Sequence, residues 1–277
     1  MLHAIGEPWS DPIVRRALIE VTLLSISAGA LGCWVVFYNL SYSAESLSHA
    51  LFPGLVLASL TGIPLLVGGA AGLVVAAAAI ALAARVPRIG ADTAVGIVVT
   101  TLLGAGVVLA LSQQTPPGLQ QILFGDILGV SDLDLALAAG LAAIVVAALR
   151  LLHPQLLAVG FDRSNAAALG ARVGLIDLAL MLLLAALILV AVQGLGNLLV
   201  VALVVGPAAT ARLVAHRMPS MMLVAVAFSL VAGVAGLYVS YYASTAAGAT
   251  IAASIVALYL CALAAIALAR RPAHSEA

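Results

Sequence analysis

Nine apolar stretches follow one another from Ala17 to Ala269 with short connections between them, each near the roughly 20 residues a helix needs to cross the hydrocarbon core of a bilayer. Inside a bilayer every backbone N–H and C=O must find its partner within the protein, so continuous apolar stretches of this length fold as helices. A barrel would show segments of about ten residues with alternating polarity. The sequence therefore predicts an all-α, polytopic membrane bundle of about eight or nine helices, read as one domain over residues 1–277. The predicted spans are Ala17 to Phe37, Ser43 to Thr61, Pro64 to Ala84, Asp92 to Ser112, Asp132 to Leu152, Leu175 to Gln193, Gly196 to Val214, Ser220 to Tyr241 and Ala247 to Ala269. A signal peptide ahead of a soluble domain is not expected, because the apolar segments continue along the chain and 65% of all residues are hydrophobic against 8% charged. Pro64, Pro87, Pro116, Pro117, Pro154 and Pro219 read as joints, and Gly68 with Gly72 as a site of close helix contact.

Arginine placement gives an orientation. Arg85 with Arg88, then Arg150, Arg163 and Arg172, then Arg212 and Arg217, then Arg270 and Arg271 fall on alternate loops, which predicts that those loops face the cytoplasm. Nine spans then leave the C-terminus inside and the N-terminus outside, with Arg15 and Arg16 as an exception beside Glu7, Asp11 and Glu20. The stretch Thr115 to Ser131 reads equally as a re-entrant piece or a long external loop. None of the eleven basic residues is lysine, so a Walker phosphate loop cannot exist in this chain and any ATP is hydrolysed by another. Cys33 and Cys261 lie within apolar segments without metal-binding spacing and read as buried packing thiols.

Against this background Glu45 and His49 stand out. Residues four apart on a helix share a face with Cβ atoms about 5–6 Å apart, so an acid and an imidazole can offer an oxygen and a nitrogen to one ion. His49 is the single histidine of the five that falls inside a predicted span. Intramembrane ionisable residues mark function by default, the alternative being that the two side chains hold helices together. Pro53, one turn on, removes a backbone donor and frees a carbonyl near the same depth, as suits a site on a broken helix. Asp177 and Glu20 are second-rank candidates, expected near the membrane interfaces. On the cytoplasmic side Phe161 to Gly170 (FDRSNAAALG) reads as a short polar helix that Asp162 or Ser164 caps and Gly170 ends, placed either as a docking knob or as a plain connector.

Ser48-His49-Ala50-Leu51-Phe52-Pro53-Gly54 resembles the Ser-His-Ala-x-Leu-Pro-Gly signature of the manganese and zinc permeases of ATP-binding-cassette importers, with Phe52 where leucine is usual. Asp92 to Ile97, Leu123 to Gly129, Val200 to Leu213 (VVALVVGPAATARL), and Gly236 to Tyr242 followed by Gly248 to Ile251 are similar to further family blocks in the same order. The chain departs from the family in carrying Glu45 where aspartate is usual, and Tyr38-Asn39 where arginines are common.

The resemblance implies a type II importer permease in a bacterial inner membrane, working as a homodimer with a cytoplasmic ATP-binding subunit and an extracytoplasmic metal-binding protein, with no nucleic-acid partner and no cofactor. Zinc or manganese is the implied cargo, on Glu45 and His49. It also implies that Asp162 to Gly170 is the coupling helix, with Asp162, Ala166, Ala167, Leu169 and Gly170 facing the ATPase. The rival readings are a permease for a metal chelate, siderophore or vitamin, which needs a large cavity; an ion-coupled secondary transporter, which needs no docking helix; and an intramembrane enzyme, for which no nucleophile and base arrangement is present.

Overall fold

The computed structural model describes residues 9–83, 86, 91–111, 125, 127 and 129–269. The helices among them are α1 (Pro12–Phe37), α2 (Ser41–Ala50), α3 (Phe52–Thr61), α4 (Leu65–Ala83), α5 (Ala91–Ala110), α6 (Asp132–Phe161), α7 (Arg163–Ala168), α8 (Val173–Val214), α9 (Met218–Ala243) and α10 (Ala247–Ala269). No strand occurs among the described residues. Seven of these helical stretches are long and apolar enough to cross a bilayer, and Leu199–Val214 adds a shorter one.

The predicted spans all appear as helix, in order, with two changes. Ser43 to Thr61 is not one helix but the pair α2 and α3, because Pro53 has no N–H to continue the ladder and instead takes a place in the first turn of α3. Leu51 between them keeps right-handed helical angles (φ −77°, ψ −18°), so the hydrogen-bond ladder breaks more than the path does. Pro154 was read as a joint but lies inside α6, which runs on to a cap at Asp162. A proline there costs the single bond to the carbonyl four residues back, and the rest of the helix holds its course. The division predicted between Gln193 and Gly196 is real: Gly196 (φ 76°, ψ 161°) sits in a region open essentially to glycine alone and breaks α8 into two halves.

α1 is the axis of the bundle. In its most apolar 18-residue window 72% of residues are buried, against 11% in α10. It reaches its neighbours backbone to backbone: a Cβ on Gly32 would lie 2.0 Å from the Val204 carbonyl oxygen on α8, and one on Gly29 would lie 2.8 Å from Val226 Cα on α9. In lipid, where apolar surface has no water to escape, such close packing is what holds helices together.

One end of the bundle collects the described arginines other than Arg15 and Arg16. The Tyr38 hydroxyl donates to the Leu156 carbonyl at 2.8 Å, and the Phe37 ring meets Phe161 edge-on at 5.4 Å, which brings the ends of α1 and α6 together. Burial pushes the Tyr38 phenol up to about 12, so it stays a donor. Phe37 and Phe161 share a groove with Arg212, His216 and Arg217, so the end of α8 and the start of α9 lie there too. At the opposite end Arg16 pairs with Asp132 at 2.8 Å and donates to the Val130 carbonyl at 3.4 Å. The arginine that departs from the charge rule is thus neutralised where it stands. Arg85, Arg88, Arg270, Arg271, Pro87, Pro116, Pro117 and most of Thr115 to Ser131 lie outside the described residues. Cys33 is buried as expected, but Cys261 is exposed on α10, the helix with the least buried surface.

Candidate metal site

α2 buries Ala44, Ser46, Ser48 and Ala50, leaving Glu45 exposed and His49 partly exposed. The acid and the imidazole are thus one turn apart, as the spacing predicted, and stand clear of the core. The Ser48 hydroxyl donates to the Glu45 carbonyl at 2.9 Å, so it is bound within its own helix and does not glue α2 to a neighbour. Pro53 has no N–H to bond the His49 carbonyl four residues back, and the Leu51 N–H reaches that carbonyl instead. Among the described residues no three His, Cys, Asp or Glu side chains converge as a metal-holding group; Glu45 and His49 stand as a pair of candidate donors on one helix.

Just beyond the pair, α3 packs on α4 and α5 through glycine. A Cβ on Gly54 would lie 2.1 Å from the Gly68 carbonyl oxygen and 3.0 Å from Gly72 Cα, and one on Gly106 would lie 2.6 Å from Phe52 Cδ1 and 3.1 Å from the Pro53 nitrogen. The Gly68 and Gly72 stripe therefore is a close-contact site, and its partner is the glycine of the signature. The close packing of Gly54 and Gly106 is not assigned by the sequence reading; the signal available for Gly54 was its place beside Pro53. A groove of about 470 Å³ on another side of α2, lined by Ser43, Ser46, Leu47 and Ala50 with residues of α4, α5 and α8, is mainly apolar and excludes both Glu45 and His49.

The second-rank acids divide. Asp177 pairs with Arg163 at the arginine-rich end, as expected of an interfacial acid. Glu20 is 1% exposed, and a Cβ on Gly194 would lie 2.5 Å from its Oε1, so the protein encloses it between α1 and α8. Eight residues of α1 carry it about 12 Å inward from Pro12, to where the first half of α8 ends. Its Oε2 has no hydrogen-bond partner among the described residues.

α7 forms as the sequence predicted. The Asp162 carboxylate accepts from the Asn165 N–H at 2.9 Å and from the Ser164 hydroxyl at 2.6 Å, which caps the first turn. The Asn165 N–H, and then the Ser164 hydroxyl, hold the Asp162 carboxyl below the usual range. Gly170 (φ 86°) takes the left-handed position just past the end. The Arg163–Asp177 ion pair ties α7 to α8. Of the five residues assigned to docking, Asp162, Ala167, Leu169 and Gly170 are exposed, Leu169 by 80%, but Ala166 is 3% exposed and belongs to the core. An Ala166→Trp change would disrupt this chain itself, whereas Ala167→Trp projects its bulk outward. The expected result for Ala167→Trp is a correctly folded permease whose ATP hydrolysis and uptake are uncoupled or whose complex fails to assemble; normal assembly with normal coupling would place the docking contact elsewhere.

The model of the ABC 3 transport family matches residues 10–266. The chain belongs to the ABC 3 transport family. It is similar to the manganese import system permease protein ScaB of Streptococcus gordonii, 33% identical over 247 residues that cover 89% of each chain. It is also similar to a probable iron transport system membrane protein of Haemophilus influenzae, 33% identical over 264 residues that cover 95% of this chain and 97% of that one. Its fold superposes on PsaBC from Streptococcus pneumoniae, solved in complex with Fab, with a TM-score of 0.86 and 31% identity over 95% of each chain. The chain is therefore a multi-pass membrane permease subunit of an ATP-binding-cassette importer and not an enzyme, with ATP hydrolysis carried by a separate subunit.

Proposed function

We propose that this permease imports a divalent transition metal, with manganese as the principal cargo, and that Glu45 and His49 are its transient ligands. The observation that carries the reading is the pair of donors one turn apart on α2, Glu45 exposed and His49 partly exposed, with no third donor converging on them among the described residues. A carboxylate with an imidazole suits manganese, iron(II) and zinc. Most of the similar permeases are named for manganese and two for iron, one of these for chelated iron, which supports a transition-metal cargo; the pair of donors on α2 is what favours the free ion over a chelate. A second copy across a dimer axis brings the donors to four. Incompleteness serves transport, since an ion must leave as readily as it enters. The working complex on this reading is two permease copies, a cytoplasmic ATPase engaged through α7, and an extracytoplasmic protein that delivers the metal.

The test is ATP-dependent uptake of radiolabelled manganese by the complex reconstituted in vesicles, with zinc, iron(II) and a ferric chelate as competitors. Zinc stands above manganese in the affinity order at equal geometry. It is expected to occupy the site longer and inhibit manganese uptake, while the ferric chelate leaves uptake unchanged. Transport of the chelate without transport of the free ions would overturn the reading.

A further inference from the structure

Three arginines and two histidines surround the start of α9. Arg150 and His153 of α6 line a groove of about 660 Å³ together with Val146, Leu149, Pro154, Pro219, Met222 and Leu223. Across Pro219, Arg212, His216 and Arg217 line the groove of about 530 Å³ that Phe37 and Phe161 enclose. No carboxylate lines either groove, and none of the three arginines forms a salt bridge among the described residues.

The first groove sorts its lining by depth. Eighteen residues separate Asp132, at the opposite end of α6, from Arg150, a rise of about 27 Å that comes close to the hydrocarbon thickness of a bilayer. Arg150 and His153 therefore stand at the headgroup level of the arginine-rich leaflet, level with Pro219 in the first turn of α9. One turn deeper on each wall the lining is purely apolar: Val146 and Leu149 on α6, Met222 and Leu223 on α9. Val146 and Leu223 are 45% and 75% exposed, so the groove opens away from the bundle. A cationic rim over an apolar trough matches a molecule with a phosphate at one end and hydrocarbon at the other. Basic pockets between membrane helices on the cytoplasmic side recognise such headgroups.

We propose that this groove holds an anionic phospholipid of the cytoplasmic leaflet, its phosphate on Arg150 beside His153 and an acyl chain between Val146 and Leu223. The lipid joins α6 to α9 at the level where α6 continues toward α7, while the neighbouring Arg212, His216 and Arg217 hold the same leaflet's charge around it.

The experiment uses the full chain in nanodiscs of phosphatidylcholine, alone or mixed with phosphatidylglycerol, and reads bound lipid by native mass spectrometry after extraction into detergent. The wild-type chain is expected to retain phosphatidylglycerol over phosphatidylcholine. Arg150→Gln should lower that retention roughly fivefold, the loss of one arginine at an anionic surface, and Arg150→Lys should restore most of it. Leu223→Ser, at an exposed position that leaves the core intact, should weaken both lipids. Equal retention of phosphatidylglycerol by wild type and Arg150→Gln would overturn the proposal, as would displacement of the adduct by inorganic phosphate alone. A loss seen in Arg212→Gln/Arg217→Gln but not in Arg150→Gln would place the lipid in the other groove and equally overturn this assignment.

Discussion

Replacing His49 with alanine is expected to abolish metal uptake while the permease still inserts, folds and assembles. Two observations separate these outcomes. His49 is partly exposed on α2, so truncating it opens no core cavity, while Ala44, Ser46, Ser48 and Ala50 keep the helix seated on the bundle. The pair has one nitrogen donor, and no third His, Cys, Asp or Glu converges as a metal-holding group among the described residues to replace it. Mutating even an outer partner of a metal ligand costs about 10–100-fold in affinity or activity, so removing the ligand itself should exceed about 100-fold. In a homodimer both pairs are broken at once. Glu45→Ala should behave alike, whereas Glu45→Asp keeps a carboxylate on a shorter arm and should retain measurable uptake with altered competition between manganese and zinc. Size-exclusion profiles and thermal unfolding indistinguishable from wild type, with uptake at background, are the expected readings. Uptake by His49→Ala within a fewfold of wild type would remove the metal from this site.

The helices were legible because a bilayer allows the chain few choices: the nine apolar stretches had to become helices, and they did, though one divides into α2 and α3 and Leu199–Val214 is shorter than the seven helices of crossing length. The local breaks were less so. Pro53 and Pro154 are the same residue type in similar apolar surroundings, yet one opens a helix and the other rides inside one. The difference lies in what packs around them. Phe52, Pro53 and Gly54 are held between α4 and α5, so a new helix start there is fixed from outside, and no local pattern carries that information. The juxtaposition of Glu45 and His49 was legible because ionisable residues are rare in such a chain, and their spacing is a property of one helix. The burial of Glu20 was not legible, for the converse reason. Its depth follows from its distance along α1, but its burial depends on Gly194 of α8, far away in sequence, approaching that face. Ala166 and Cys261 are similar cases: each shares its local pattern with its neighbours, and only the assembled bundle decides that one turns inward and the other outward.

A second large effect is expected at Gly54. The glycine of the signature has no chemistry to offer a metal, yet an alanine there should cost much of the permease's stability and, through it, uptake. A Cβ on Gly54 would lie 2.1 Å from the Gly68 carbonyl oxygen, 3.0 Å from the Gly68 carbonyl carbon and 3.0 Å from Gly72 Cα. All three are backbone atoms, so no side chain can rotate away and α3 must move off α4. Overpacking a well-filled interior costs about 1–3 kcal/mol, and a backbone contact with nowhere to relax belongs at or above the upper end. Because α3 follows α2 through Leu51 alone, displacing α3 also moves the helix that presents Glu45 and His49. Gly54→Ala should therefore lower the unfolding midpoint and the folded yield, with any surviving protein impaired in uptake. Gly104→Ala is the control: it lies on α5, where nothing stands within 4 Å of the added atom, and should change neither. If Gly54→Ala melts with wild type, α3 and α4 do not pack this closely in the membrane. If it melts early but its folded fraction transports at the full wild-type rate, the glycine serves packing without setting the geometry of the metal pair.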